Sequence, residues 1–481
     1  MKKIVMIAFV VFLLFALNAV SEEEREVFLS EDGVYEYVFL TGDTIQIVDM
    51  RGAFLSEVVV PGTIDGYCVE SVGDGAFSSV WSIHEITLPE SVVALEGNPF
   101  YGLHGLRKIN LPPDHPTHAV IDNVLFNKQE NSLICYPSGL SEMYYTVPDG
   151  ISTIGAGAFY GCGNLMEITL PDSVTKIEEY AFYECEGLTK MILPDKLESI
   201  GNQAFSYCEN LKEISIPRSD VFIDGNPIEG CGQLEKLYIS PEHPTLSVID
   251  DVLFDKNKKK LICCFGSFER EVYAIPDGIL SIGDAAFADL ENISEIKMPD
   301  SVVSIGNEAF ANCGLTEIAL PEGLESIGDQ AFYGCHNLTD ITIPDSTGHI
   351  GEGAFMFLSG LTQITLPRGM EAIENSMFSN CHSLREIVLP DSVKEIEEYS
   401  FGSCISLSKV MLPDGLESIG LYAFVNCVNL TELKIPDSVT HIDDTAFEGC
   451  GNLTLIVGRD SYAWEFACRS GIPFVFADEA E

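Results

Sequence analysis

The sequence predicts a repeat solenoid, a stack of β-rich coils with a parallel strand face. Three observations carry this. A proline closing a short apolar run recurs every 23 residues, at Pro148, Pro171, Pro194 and Pro217 and again at Pro344, Pro367, Pro390, Pro413 and Pro436. An Ala-Phe pair repeats in step: Ala158-Phe159, Ala181-Phe182, Ala204-Phe205, Ala309-Phe310, Ala331-Phe332, Ala354-Phe355, Ala423-Phe424 and Ala446-Phe447. Ten of the 15 cysteines stand three residues after that aromatic or its replacement: Cys162, Cys185, Cys208, Cys231, Cys313, Cys335, Cys381, Cys404, Cys427 and Cys450. A period of about 20–30 residues means one coil per repeat, each burying its apolar face against its neighbours. The length of 481 residues would otherwise imply three domains, but a solenoid grows along one axis without closing separate cores.

The chain opens on Lys2-Lys3, an apolar run from Ile4 to Leu17, and the small residues Ala19-Val20-Ser21 ahead of Glu22-Glu23-Glu24. That is the order of a secretory signal, so residues 1–21 are expected to be a signal peptide and the mature chain to be exported. An uncleaved anchor is the competing reading, although the run is short against the ~20 residues of a membrane span. No later stretch is apolar enough to cross a bilayer. No Cys follows the signal for lipid attachment, and Ala477 to Glu481 carries no sorting motif.

Within a coil, Leu338, Ile341 and Ile343 have the spacing of a short strand whose inward positions lie two apart. Pro344 ends that strand, because it has no N–H for the ladder. In another coil Val174 and Ile177 return to the core, Ala181-Phe182 fills it from the opposite wall, and turns such as Gly163-Asn164 lead to the next strand. Where the cysteine slot lacks Cys it holds Val80, Leu103, Leu290 or Leu358. A slot that accepts Val and Leu wants a small buried apolar group, which is how a free thiol behaves. The expectation is a thiol ladder, with bridging between neighbouring coils as the alternative. Cys263-Cys264 has no second pair near it.

A longer period overlies the short one. Gly97-Asn98-Pro99 recurs as Gly225-Asn226-Pro227, His115-Pro116-Thr117 as His243-Pro244-Thr245, and Leu133-Ile134-Cys135 as Leu261-Ile262-Cys263, each 128 residues apart. A multi-coil block has been duplicated whole. Each copy holds one coil lengthened by a polar-tipped hairpin, near Lys128-Gln129-Glu130-Asn131 and near Lys256 to Lys260. The second tip is the most basic spot in the chain.

The repeat pattern L-P-[DE]-[SG]-[VL]-x-x-I-x-x-x-A-F-x-x-C-x-x-L-x-x-I closely resembles that of the BspA-like leucine-rich-repeat proteins of bacterial and protist cell surfaces, over about Val58 to Val457. Three further features resemble that family: the segment Tyr35 to Val60 leading into Pro61-Gly62-Thr63-Ile64-Asp65-Gly66, the stretch Ser461 to Phe474, and the inserts Val124-Leu125-Phe126 and Val252-Leu253-Phe254. The resemblance implies right-handed leucine-rich-repeat-type coils with short helical or 3-10 turns. It implies an N-terminal capping hairpin over 22–57 and a solenoid over 58–457 with hairpin inserts near 113–147 and 241–275. A C-terminal helix-strand cap and tail follow over 458–481. It also implies adhesion to proteins or cells at the cell surface. Caps are expected physically, since end coils expose core and strand edges. The chain shows no recognisable anchor, so a released protein, or one held by a partner, fits the sequence as well as a retained adhesin.

The net charge of −48 repels nucleic acid and anionic membrane, which makes both poor partners. Solubility accounts for the acidity; cation binding, calcium included, or steering of a basic ligand are the functional alternatives. No nucleophile elbow, H-E-x-x-H, glycine-rich phosphate loop or EF-hand loop is present. We expect no enzyme activity, cofactor or metal centre. His115-x-x-His118 has zinc-ligand spacing, but its duplicate puts Leu246 in the second position, which favours turn structure. The sequons at Asn292, Asn337, Asn429 and Asn452 each fall in the repeat's turn slot, which explains them without sugar.

The strand face is the better candidate for function. The residue before the inward strand position is acidic in eight coils (Glu85, Glu167, Glu213, Glu295, Glu317, Asp340, Glu386 and Glu432) and Lys in four (Lys108, Lys190, Lys236 and Lys409). The position beyond it is mainly short and polar, with exposed apolar exceptions at Ile192, Tyr238, Val388 and Met411. In-register stacking about 4.8 Å apart turns these columns into ladders, where Lys190 and Lys236 flank Glu213. A solvated sheet face accounts for the pattern. The functional reading places an extracellular protein or glycan ligand on Lys190, Glu213, Lys236 and Tyr238. The rival functions are a cation-dependent assembly protein and an accessory module of a separate enzyme.

Overall fold

Each coil is a flattened loop with three walls, and its residues show why. In the coil that starts at Leu338, strand Asp340–Thr342 buries Ile341 and exposes its two neighbours, as a two-residue period demands. Strand His349–Ile350 follows on the second wall with Ile350 buried. The third wall carries Ala354 and Phe355, both wholly buried, and Leu358 in the cysteine slot. The computed structural model describes residues 26–479 apart from 41, 53, 54, 258 and 267. The expected signal peptide at 1–21 lies outside the described residues.

The first two walls are parallel sheets. On the first, Asp340–Thr342 pairs with Gln363–Thr365 so that Ile341 faces Ile364. On the second, Ser326–Ile327 pairs with His349–Ile350. This second sheet, two residues deep, is an addition to the single strand face read from the sequence.

The third wall departs from the expected helical or 3-10 turns. It is a chain of tight turns in which alternate amides leave the coil. Gln330, Phe332 and Gly334 donate N–H to the carbonyls of Glu352, Ala354 and Met356 in the next coil, at 2.8, 2.9 and 3.0 Å. The amides between them turn back within the coil, Tyr333 to Gln330 and Cys335 to Phe332. A helix needs every amide to bond within its own segment, so half of them pointing outward rules it out. The left-handed residues that permit this include non-glycines, for example Gln330 at φ 53° and Tyr399 at φ 53°.

Inside this wall the phenylalanines stack coil upon coil: Phe287–Phe310 at 5.4 Å, Phe310–Phe332 at 5.2 Å, Phe332–Phe355 at 5.7 Å, then through Phe378, Phe401 and Phe424 to Phe447. The cysteine ladder runs beside them as free thiols. Most of these S–H groups reach back one coil to a phenylalanine carbonyl, Cys208 to Phe182 at 3.1 Å, Cys335 to Phe310 at 3.0 Å, Cys404 to Phe378 at 3.1 Å and Cys427 to Phe401 at 3.2 Å, while Cys162 reaches the Tyr136 carbonyl at 3.6 Å. The slot therefore wants a small group that also donates weakly, and Cys supplies both.

The chain forms two compact units, one of residues up to Glu142 with Gly150–Asn164, the other of Met143–Asp149 with Leu165 onward. In the first, strands Tyr35–Phe39 and Thr44–Met50 form an antiparallel hairpin, and Thr44–Met50 joins Tyr67–Val72 in parallel over buried Ile45, Ile47, Val69 and Val72. The lengthened coil contains a three-stranded meander, His118–Ile121, Val124–Asn127 and Ser132–Cys135, whose last strand pairs with Thr153–Ile154 on the two-residue sheet. The second unit repeats this with Leu246–Ile249, Val252–Asp255 and Lys260–Cys264, joined to Ser281–Ile282. It ends in helix Tyr462–Ser470, N-capped by the Ser461 side chain and closed by left-handed Gly471, with strand Phe474–Phe476 paired to Thr454–Val457.

The lengthened coils have no Ala-Phe turn of their own, which leaves a gap in the third wall. The repeated asparagine bridges it. Asn98 Nδ2 donates to the Gly157 carbonyl at 2.6 Å, and Asn226 Nδ2 to the Ala285 carbonyl at 2.8 Å. The glycine before each asparagine is left-handed, and a Cβ there would lie 2.2 Å from Asp74 Oδ1 or 2.1 Å from Asn202 Oδ1. The Gly-Asn-Pro repeat is thus a wall repair.

Candidate functional site

Three strands of the second unit carry the sequence-predicted residues: Lys190–Ile192, Glu213–Ser215 and Lys236–Tyr238. Each projects its middle residue inward, so the flanking side chains stand on the solvent face. The register pairs Lys190 with Glu213 and Glu213 with Lys236, and in the outer column Ile192 with Ser215 and Ser215 with Tyr238. A 23-residue spacing in sequence has become nearest-neighbour contact.

Glu213 is shared between two cations. Lys190 Nζ lies 3.3 Å from its Oε2 and Lys236 Nζ 3.6 Å from its Oε1. Hydrogen bonding from Lys190 holds the Glu213 carboxyl below its ordinary value, and Lys236 is raised by neighbouring Tyr238 and then by Glu213. These pairs are open to solvent, so they contribute little to stability and a ligand can rearrange them cheaply. Ile192 is 62% and Tyr238 48% exposed, an apolar pair on either side of Ser215. The structure brings all four predicted residues onto one patch. A second patch repeats the chemistry, with Glu386 beside Lys409 and exposed Val388 beside exposed Met411.

The other sequence candidates resolve into structure. His115 Nδ1 accepts the His118 amide at 3.2 Å, and His243 Nδ1 accepts the Leu246 amide at 3.0 Å, so the shared His-Pro closes the same turn in both copies. Burial pushes His118 down to about 4 and keeps it neutral. Among the described residues no three His, Cys, Asp or Glu side chains are placed to hold a metal ion. Lys128 and Lys256 at the meander tips donate to the His115 and His243 carbonyls rather than projecting freely. Asn429 uses its amide on the Ile405 carbonyl at 2.7 Å, the turn role expected of that slot. Among the described residues no helix is long and apolar enough to cross a membrane.

Stacked 23-residue coils, each with a short strand on one wall whose inward residue is mainly isoleucine or leucine, define a leucine-rich-repeat solenoid. The chain belongs to the family described as the BspA type leucine rich repeat region, which matches residues 55–145, 141–260, 263–385 and 325–454. It is similar to a solved leucine-rich repeat protein from Bacteroides ovatus, at 24% identity over 95% of this chain and 99% of that one, with a TM-score of 0.42. It is also similar to one from Eubacterium ventriosum (21% identity, 86% and 92% covered, TM-score 0.46). A third is a leucine rich cell surface protein from Faecalibacterium prausnitzii (21% identity, 92% and 98% covered, TM-score 0.31). No curated protein matches the chain.

Sequence reasoning missed Glu229, Tyr207 and Asp289, whose hydroxyl and carboxylates meet beside the second lengthened coil. The signal was available in the 128-residue offset, which sets Glu229 opposite Tyr101.

Proposed function

We propose that this chain is an exported binding protein that holds a protein or glycan at or beyond the cell surface, with residues 22–57 and 458–481 acting as end caps. The observation that carries the reading is the Lys190–Glu213–Lys236 ladder bordered by exposed Ile192 and Tyr238. Apolar groups on a solvated charged sheet cost solubility and supply contact area, and an aromatic beside exchangeable charges is a common interface composition. The flat in-register face lets adjacent coils contribute to one footprint. Adhesion is the form of binding that the family resemblance implies.

The test is binding of the purified protein to an array of extracellular-matrix proteins and glycans, with and without calcium. We expect a saturable ligand whose affinity falls at least about tenfold in the double variant Lys190→Glu, Lys236→Glu and in Tyr238→Ala, as interface charges and aromatics behave. Retained binding in both variants would remove the patch from consideration.

A further inference from the structure

The duplicated block supplies its own comparison. In the first copy the gap beside the lengthened coil is filled by rings: Tyr101 lies 5.5 Å from Tyr160, and Tyr136 lies 5.4 Å from Phe159. The positions 128 residues on are Glu229, Ala288 and Cys264. Without the rings the second copy has an open cleft of about 350 Å³. Ile228, Phe265, Phe268 and Leu290 give it an apolar side, and Glu229, Asp289 and Glu291 an acidic one.

The acids lack counter-charge. Glu229 is buried, and its Oε2 accepts from Gln203 Nε2 at 2.8 Å. The Tyr207 hydroxyl sits 3.4 Å from Glu229 Oε1 and 3.5 Å from Asp289 Oδ2, and its single proton can serve only one of them. Asp289 Oδ1 accepts from Asn312 at 3.0 Å. None of the ion pairs among the described residues involves Glu229, Asp289, Glu291 or Glu308. A buried carboxylate without a cation either takes up a proton or draws a cation in.

We propose that this cleft binds a primary alkylammonium group, its nitrogen on Glu229 and Asp289 and its methylenes along Ile228, Phe265 and Phe268. An ammonium offers three donors to carboxylates that are short of them, and its stem suits an apolar wall. A metal ion needs several converging ligands, and the described residues place no such trio here. The ammonium is carried by a lysine of a partner protein or by a free small amine; the recognition chemistry is the same. The site is on the turn wall and is independent of the strand-face patch. Burial, reinforced by Glu308 and Asp289, pushes Glu229 up to about 8, and Asp289 and Glu308 are raised as well. A carboxyl raised in this way holds its proton more readily in the empty cleft, and an arriving ammonium favours its release.

The test is calorimetric titration of the purified protein at pH 7.5 in two buffers of different ionisation enthalpy. The probes are n-butylammonium, a lysine-centred tripeptide, its norleucine counterpart and calcium chloride. We expect one-site binding of an amine with proton release. Affinity should fall about tenfold or more in Ala288→Tyr, which restores the first copy's ring, and in the isosteric Glu229→Gln, as loss of a charged hydrogen bond implies. Butylammonium binding as tightly as the lysine peptide assigns a free amine; peptide binding alone assigns a partner lysine. The proposal is overturned by no saturable amine binding, by equal binding of the norleucine peptide, by calcium binding in the amine's place, or by unchanged affinity in folded Glu229→Gln.

Discussion

Replacing Phe332 with alanine should break the solenoid's cooperativity at one place. The ring is wholly buried and lies between Phe310 at 5.2 Å and Phe355 at 5.7 Å, with interplanar angles of 19° and 11°. Truncating a buried phenylalanine costs about 3–5 kcal/mol, and each lost ring pair accounts for about 0.5–1.5 kcal/mol of the stacking contribution. In a solenoid that deficit falls on two coil interfaces instead of spreading over the whole chain. Native-state hydrogen exchange reads it directly, because the Phe310 and Phe332 amides bridge to the carbonyls of Ala331 and Ala354. A deficit of about 3 kcal/mol corresponds to roughly a hundredfold faster exchange at those amides where exchange follows local opening. The Phe424 amide, bonded to Ala446 several coils away, should be unchanged. Phe332→Leu keeps most of the volume and should give a smaller local effect. Equal acceleration at Phe332 and Phe424, or a local change below about 1 kcal/mol, would refute the nearest-neighbour reasoning.

Other expectations follow from the same walls. A thiol reagent should label Cys68 and Cys468, both exposed, before the fully buried thiols in the native protein, and all 15 cysteines in denaturant; half-buried Cys450, lowered by its hydrogen bond with Cys427, falls between, whereas burial raises Cys404, and rapid native labelling of Cys404 contradicts this. Asn226→Ala removes the bridge to Ala285 and should cost about 1–3 kcal/mol in urea denaturation. Gly225→Ala should also destabilise, because the residue is left-handed and its Cβ would meet Asn202. Glu374 is pushed up to about 7 by burial and then by Glu397, Glu352 and Asp329. Its folded value exceeds its unfolded one, so the folded state binds the extra proton and stability falls as pH rises from about 4.5 through 7. Glu374→Gln should flatten that loss, and a melting temperature equally pH-dependent in the variant would contradict it.

Much of this architecture was legible because a repeat multiplies weak local signals. Inward Leu338, Ile341 and Ile343, the terminating Pro344 and the Ala-Phe pair recur often enough to define a coil. In-register stacking then converts a 23-residue interval into contact, which is why Lys190, Glu213 and Lys236 could be placed side by side. The two-residue sheet escaped notice because Ser326–Ile327 is too short to show a period. The turn ladder escaped for another reason. Its left-handed positions hold residues such as Gln330, Glu184 and Tyr399, which carry none of glycine's signature and are held by bonds to the next coil. The cleft was hidden because it depends on rings that are missing, and absence shows only when Glu229 and Ala288 are set against Tyr101 and Tyr160. The wall repair by Asn98 and Asn226 was visible as a repeat but not as a bond, since its partners lie 59 residues away.

The turn wall has a sense of direction. In the second unit, from Tyr180 to Asn426, its outgoing amides point toward the following coil and their acceptors toward the preceding one. Peptide dipoles aligned in this way add, as they do along a helix, but here they run along a column contributed by many coils. One end of such a column offers hydrogens and the other offers oxygens, so the two ends are complementary to each other and not to themselves. Helix Tyr462–Ser470 covers the hydrogen end, with Phe466 set edge-on to the last ring, Phe447. A chain cut before that helix would present an active tip that fits only the opposite end of another such stack. Loss of the C-terminal cap therefore leaves a row of donors without acceptors, and two such ends have no complementary groups to offer each other.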